Sequence, residues 1–219
     1  MQALDEDRLA LLFQALSGAY GKQDWWPGNT AFEICIGAIL VQNTSWANAA
    51  RAIERIRRRD LMQPGALLDL EPASLEDLLR PAGCYRQKAR RVSVFCRWWL
   101  DARLPSQAPD PDTGALRAVL LSLHGIGPET ADCILLYAFG RAVFVVDAYT
   151  RRLLSRLGLA QVPPGRRAYE SLRTHVESLI GPQPAYLGEL HALIVEHGKQ
   201  VCRARPLCER CQLRTQCPY

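Results

Sequence analysis

What this 219-residue chain has least of is lysine: Lys22, Lys88 and Lys199 are the only three among 27 basic residues, and the rest are arginine. Chemistry that needs a side-chain amine has those three positions to draw on, because a guanidinium stays protonated and cannot act as a nucleophile. Long apolar runs are also missing. None approaches the roughly 18 residues a membrane-spanning helix needs. The opening Met-Gln-Ala-Leu-Asp-Glu-Asp has neither the basic start nor the apolar core of a secretion signal, so the expectation is a cytoplasmic protein with no membrane contact. Strand patterning is nearly absent. Val143 to Val146 is the one β-like run, too short for a sheet, and it reads as a buried strap between two helical clusters. No internal repeat is evident.

What remains is helical. Apolar residues recur at helical spacing from Asp5 to Ala19, through Phe32 to Val41, and from Trp46 through Ile53 and Ile56. The same spacing predicts helices at 75–79, 88–100, 116–123, 129–139, 148–157, 169–180 and 186–197. The prolines fall in the loops 105–111, 163–164 and 182–184, and 21–30 is a loop by its Gly/Pro content. The reading is an all-α protein. A net charge of +5 with 22% charged residues favours a polyanion partner only weakly.

The most informative stretch is Leu123-His124-Gly125-Ile126-Gly127-Pro128-Glu129-Thr130-Ala131-Asp132. Two glycines around one apolar residue let the chain reverse within a few residues, with Ile126 burying the tip. Pro128 suits the first turn of a helix, where its missing N–H costs nothing. The unpaired amides of the turn and the helix start then suit a phosphate. Further on, Asp147 opens the next helix. On its own such an aspartate is a helix cap; beside an anion-binding hairpin it is also a candidate catalytic carboxylate.

Four of the eight cysteines, Cys202, Cys208, Cys211 and Cys217, are spaced C-x5-C-x2-C-x5-C. A reduced intracellular chain would not pair them as disulfides, and four thiolates so close in sequence suit either zinc or an iron–sulfur cluster. Cys35, Cys96 and Cys133 read as small core residues.

Taken together, the hairpin and the trailing Asp147 resemble the helix-hairpin-helix-Gly/Pro-Asp DNA glycosylase superfamily. The resemblance is to endonuclease III, with features of the 3-methyladenine DNA glycosylase III branch. It implies a two-domain helical fold: a six-helix bundle carrying the hairpin at 31–141, and a second domain from 1–30 and 142–219 with a C-terminal [4Fe-4S] cluster on Cys202, Cys208, Cys211 and Cys217. The spacing differs from endonuclease III by one residue in the first gap. Zinc is the lesser alternative.

The resemblance also implies function. The partner is double-stranded DNA with a damaged base, bound by a monomer. DNA contacts fall to Gly125, Ile126, Gly127 and Thr130 of the hairpin, to Arg203 and Arg205 in the cysteine loop, and to Gln42, which would meet the orphaned base. Cys84, in Ala82-Gly83-Cys84-Tyr85, takes the place of a bulkier intercalating wedge. Asp147 would stabilise positive charge on the sugar or activate water, and Glu129 could orient that water. Bifunctional members carry lysine where this chain has Glu129, and a carboxylate forms no imine. A monofunctional glycosylase is therefore expected. Trp25, Trp26 and Trp46 supply aromatic faces suited to a cationic base, so an alkylated purine is favoured. The alternatives are an endonuclease III-like glycosylase/lyase for oxidised pyrimidines, or a DNA-damage-binding protein without catalysis.

Overall fold

The computed structural model describes residues 4–102, 112–161 and 163–219, so the loop expected at 105–111 lies outside the described residues. Eleven α-helices carry the fold, and no strand occurs among the described residues. They are α1 (Glu6–Tyr20), α2 (Ala31–Leu40), α3 (Trp46–Arg57), α4 (Pro64–Leu68), α5 (Pro72–Leu79), α6 (Tyr85–Asp101), α7 (Thr113–Ser122), α8 (Pro128–Cys133), α9 (Ala148–Arg156), α10 (Arg166–Ile180) and α11 (Pro184–Gln200). Local chemistry explains most of their starts. Asp5, Thr30, Ser45, Asp112 and Asp147 each accept a backbone N–H from three residues ahead, and α4, α5, α8 and α11 open with proline.

The chain divides into two compact units. Trp26–Phe139 forms one, and the segments that end at Trp25 and resume at Gly140 form the other. In the Trp26–Phe139 unit, α2 is the axial helix. Eight of its ten residues are buried, and it packs on α3, α6, α8 and the turn after α8. Burying Ile36, Ile39 and Leu40 fully contributes about 1.5–3 kcal/mol for each side chain. Among its described residues this unit holds the six helices expected and a seventh. The extra one, α4, has only five residues, too few for a helical period to show. The helix expected over 129–139 is α8 followed by a π-helical turn, Ile134–Ala138.

The other unit is organised on α11, which packs against α1, α9 and α10. Gly198 of α11 lies under Tyr149 of α9, where a Cβ would collide with the ring. Val143–Val146 is irregular and fully buried. It lacks a neighbouring strand, and side chains take over that role: the Phe144 N–H donates to Glu177 Oε1 at 2.8 Å and the Val146 N–H to the Tyr169 hydroxyl at 3.5 Å.

Candidate active site

The hairpin closes through a hydrogen bond from the Ile126 N–H to the Leu123 carbonyl, 3.1 Å. Gly125 has φ +84°, and Ile126 is buried. Gly127 then opens α8 in extended conformation and, lacking a side chain, supplies no cap of its own. Two networks fix this bend. Arg117 of α7 grips Asp132 of α8 with two bonds, Nε to Oδ1 at 2.7 Å and Nη2 to Oδ2 at 3.0 Å, and the carboxylate is wholly buried. From the end of α2, the Gln42 amide donates to the Gly125 carbonyl at 3.1 Å and to Thr130 Oγ1 at 2.8 Å, while its oxygen accepts from Arg91 of α6. Gln42 is thus held beside the bend by three bonds, and its oxygen keeps a second lone pair. Arg91, Arg117 and Asp132 escaped the sequence reading, which offered no signal for pairs formed only by tertiary packing.

In the other unit, Asp147 caps α9. Its Oδ1 accepts the Thr150 N–H at 2.7 Å, and its Oδ2 lies 3.6 Å from Nε2 of His191 on α11. The residue is 9% exposed. Burial pushes its pKa up, but the adjacent His191 and the bonds from Thr150 outweigh that and hold it below the usual carboxylate value. The result is a buried carboxylate kept ionised. His191 stacks at a tilt on Trp25, ring centroids 5.7 Å apart, and the Lys199 ammonium lies 5.2 Å from the Trp25 ring centre. His191 too was missed, since a histidine on an apolar helix face reads as core.

Each unit contributes to the aromatic set. Trp26 meets Trp46 edge-on at 5.4 Å and Tyr137 at 5.3 Å, over Gly37, whereas Trp25 belongs with His191. Cys84 is exposed in left-handed conformation, φ 45°, before α6. Glu129 is exposed in the first turn of α8. Although remote from the hairpin in sequence, Lys88 shares its unit, one helical turn from Arg91. Its side chain is buried, and its Nζ donates to the Ala82 carbonyl at 2.6 Å.

The C-terminal cysteine loop is fastened to α9 by two arginines. Arg152 donates to the carbonyls of Gly198 and Cys202, and Arg156 to those of Arg203 and Ala204 and to the Cys202 sulfur at 3.3 Å. Arg203 and Arg205 are exposed, the former bonding the Lys199 carbonyl. Burial pushes the Cys211 thiol up; a backbone hydrogen bond from Leu213 opposes it, and the charges of Cys202, Cys217 and Cys208 add to the rise. Among the described residues no three His, Cys, Asp or Glu side chains converge closely enough for a single metal ion. Zinc and a four-iron cluster both accept all-thiolate donor sets, and Cys202, Cys208, Cys211 and Cys217 supply one.

Residues 36–180 match the profile of the HhH-GPD superfamily, described as base excision DNA repair proteins. The chain belongs to that superfamily. It is 41% identical over 209 residues to a protein of Methanocaldococcus jannaschii named as a DNA repair glycosylase, covering 94% of each chain. It is 28% identical to endonuclease III of Thermotoga maritima, covering 86% of this chain and 83% of that one. Among solved structures, an endonuclease III–DNA complex superposes with TM-score 0.82 over 98% of this chain and 96% of that one, at 21% identity, which shows a shared fold. The H. pylori 3-methyladenine DNA glycosylase bound to 1,N6-ethenoadenine matches with TM-score 0.73 and 28% identity, over 90% and 98% of the two chains. This HhH-GPD protein is thus a base excision repair DNA glycosylase with an endonuclease III-like fold. No helix among its described residues is long and apolar enough to cross a membrane.

Proposed function

We propose that the chain is a monofunctional glycosylase that flips a damaged base out of duplex DNA and hydrolyses its N-glycosidic bond, with alkylated purines as the preferred substrate. The observation that carries this is that Asp147 is buried and held ionised, in a chain whose hairpin has Glu129 at its fifth position. The target bond is inaccessible within a stacked duplex, so extrusion must come first. As the bond breaks, positive charge develops on the sugar. Asp147 opposes that charge or takes a proton from the attacking water, and the Thr150 amide keeps it aimed throughout. Glu129 is the residue to orient that water. The placement of the three amines supports the monofunctional reading: the Lys88 amine is buried on a carbonyl, Lys199 lies over Trp25, and Lys22 pairs with Asp24.

DNA is held at the hairpin by Gly125, Ile126, Gly127 and Thr130, at Cys84, and by Arg203 and Arg205, as a monomer on damaged duplex. Trp26 and Trp46, and separately Trp25, are the aromatic faces for a cationic base. Cys202, Cys208, Cys211 and Cys217 would hold a [4Fe-4S] cluster, which when bound clamps the arginine-bearing loop and takes no part in bond cleavage. The test is a lesion panel scored separately for base release and strand scission, with borohydride trapping. Release of 3-methyladenine without scission or trapping is expected. A trapped adduct overturns the monofunctional reading, and its loss in Lys88→Met would identify the amine. Release of oxidised pyrimidines alone overturns the substrate class.

A further inference from the structure

Asp147 and His191 belong to one compact unit and come together where α9 packs on α11. The two helices approach closely because Gly198 of α11 leaves room for the Tyr149 ring. The Thr150 N–H fixes Oδ1 of the carboxylate, and Nε2 of the imidazole stands 3.6 Å from Oδ2. That is wider than a hydrogen bond, so a proton on Nε2 attracts Oδ2 without tying it up. His191 is itself only 2% exposed, and its ring is backed by Trp25. Trp25 is tethered in turn, because the Gln23 N–H donates to Glu189 Oε1 of α11 at 2.6 Å.

The charged and titratable groups on the packed elements have partners of their own. On α9, Arg151 donates to the Pro163 carbonyl and Arg152 to those of Gly198 and Cys202. On α10, the Tyr169 hydroxyl accepts the Val146 N–H and Glu177 the Phe144 N–H. On α11, Glu189 holds Gln23 and Lys199 lies over Trp25. His191 is the titratable side chain set against the carboxylate.

We infer that His191 is a positioning residue for Asp147: it steers Oδ2 while the Thr150 amide fixes Oδ1, so that the carboxylate faces a reacting sugar in one orientation. The inference rests on the reading that Asp147 carries the glycosylase chemistry. A carboxylate held by one oxygen alone can still swing about its terminal torsion, which is broad. His191 also opposes burial, which by itself would draw a proton onto the acid.

A carboxyl-carbon NMR titration of the DNA-free protein tests the pairing, with the Asp147 signal assigned by its loss in Asp147→Asn. The wild-type midpoint should lie below the usual carboxylate value of about 3.9. It should rise in His191→Phe, which keeps a ring for Trp25 but offers no N–H, and come back down in His191→Gln, which restores a donor. An unmoved midpoint in His191→Phe would overturn the inference, as would a His191→Gln midpoint no lower than that of His191→Phe. His191→Leu removes the same N–H should the Phe variant fail to fold. On a damaged duplex, His191→Phe should slow base release about 10-fold at pH 7, since misplacing a reacting group by about 1 Å costs up to about 100-fold. The loss should be larger at pH 5, fall on kcat with KM unchanged, and be largely regained in His191→Gln. An equal loss at both pH values, or one confined to KM, would count against positioning. Adding His191→Phe to Asp147→Asn should cost nothing further, because His191 acts through that carboxylate; multiplying losses would overturn the inference. The titration needs no lesion. Shifted midpoints in a protein that releases no base would therefore fail the glycosylase reading, whereas base release with an unmoved midpoint would fail this inference.

Discussion

Two buried aspartates show how one side chain serves two ends. Asp132, wholly buried in the hairpin, has both oxygens bonded by the permanent cation of Arg117. Asp147, nearly as buried, has one oxygen on a backbone amide and the other near an imidazole. A wholly buried carboxylate with both oxygens held by a guanidinium is structural: it ties α7 to α8 and has no exposed edge to offer a substrate. A carboxylate anchored at one oxygen is fixed in place and still able to answer charge developing on a substrate. Burial alone does not distinguish them; the partner does.

Several changes should sharpen or break that contrast. The largest loss of stability should come from Arg117→Ala, which strands the buried Asp132 charge and should cost about 3–5 kcal/mol in denaturant unfolding. A loss below 1 kcal/mol would mean that the pair is not what holds the hairpin. Asp147→Asn should do the reverse. Asparagine caps a helix as well as aspartate, so the unfolding midpoint should barely move while base release falls about 10²–10⁴-fold. Unchanged release would reduce Asp147 to a cap. Asp147→Ala should add to that loss of activity about 1 kcal/mol of stability, the value of the cap.

The pH dependence is smaller but has a definite sign. The folded Asp147 titrates below its unfolded value, so its stabilisation is complete above about pH 4 and is lost as pH falls through the lower folded value. Base release should therefore show no acid limb belonging to Asp147 between pH 5 and 7, roughly one unit and more above that range. An acid limb there that vanished in Asp147→Asn's residual activity would contradict this. Lys88 gives the smallest effect, in the same sense but at the alkaline end. Burial, with the Arg91 charge, lowers its pKa although Cys84 raises it, so the unfolded chain keeps that proton to higher pH. Stability should rise with pH as it climbs from the folded value toward about 10.4, and Lys88→Met should lack that rise in unfolding midpoints measured across the same range.

The contrast between local and distant pairing also explains what could be read from the chain beforehand. The Gly-Ile-Gly bend with Pro128 at the start of α8 and the capping of α9 by Asp147 depend on residues within one turn and were legible, whereas Pro184, expected in a loop, opens α11. Buried Cys35, Cys96 and Cys133 were legible too, because small apolar residues on helical faces go inward. The network around Gln42 was not. Its bonds span 83 and 88 residues to the hairpin and 49 to Arg91, separations that no local pattern encodes. Arg117 and His191 were hidden for the same reason, and the former looked like one more surface arginine in an arginine-rich chain. The five-residue α4 fell below the length at which a period can be counted.

The π-helical turn at Ile134–Ala138 sets where Tyr137 points. Each residue of regular winding advances the chain by about 100°, so a wider turn rephases everything beyond it. Removing a single residue there would straighten the helix and swing Tyr137 off the edge of Trp26, emptying one wall of the aromatic corner while leaving every side chain of the corner in the sequence. A chain shortened by that one residue would keep its composition and lose the meeting of Tyr137 with Trp26.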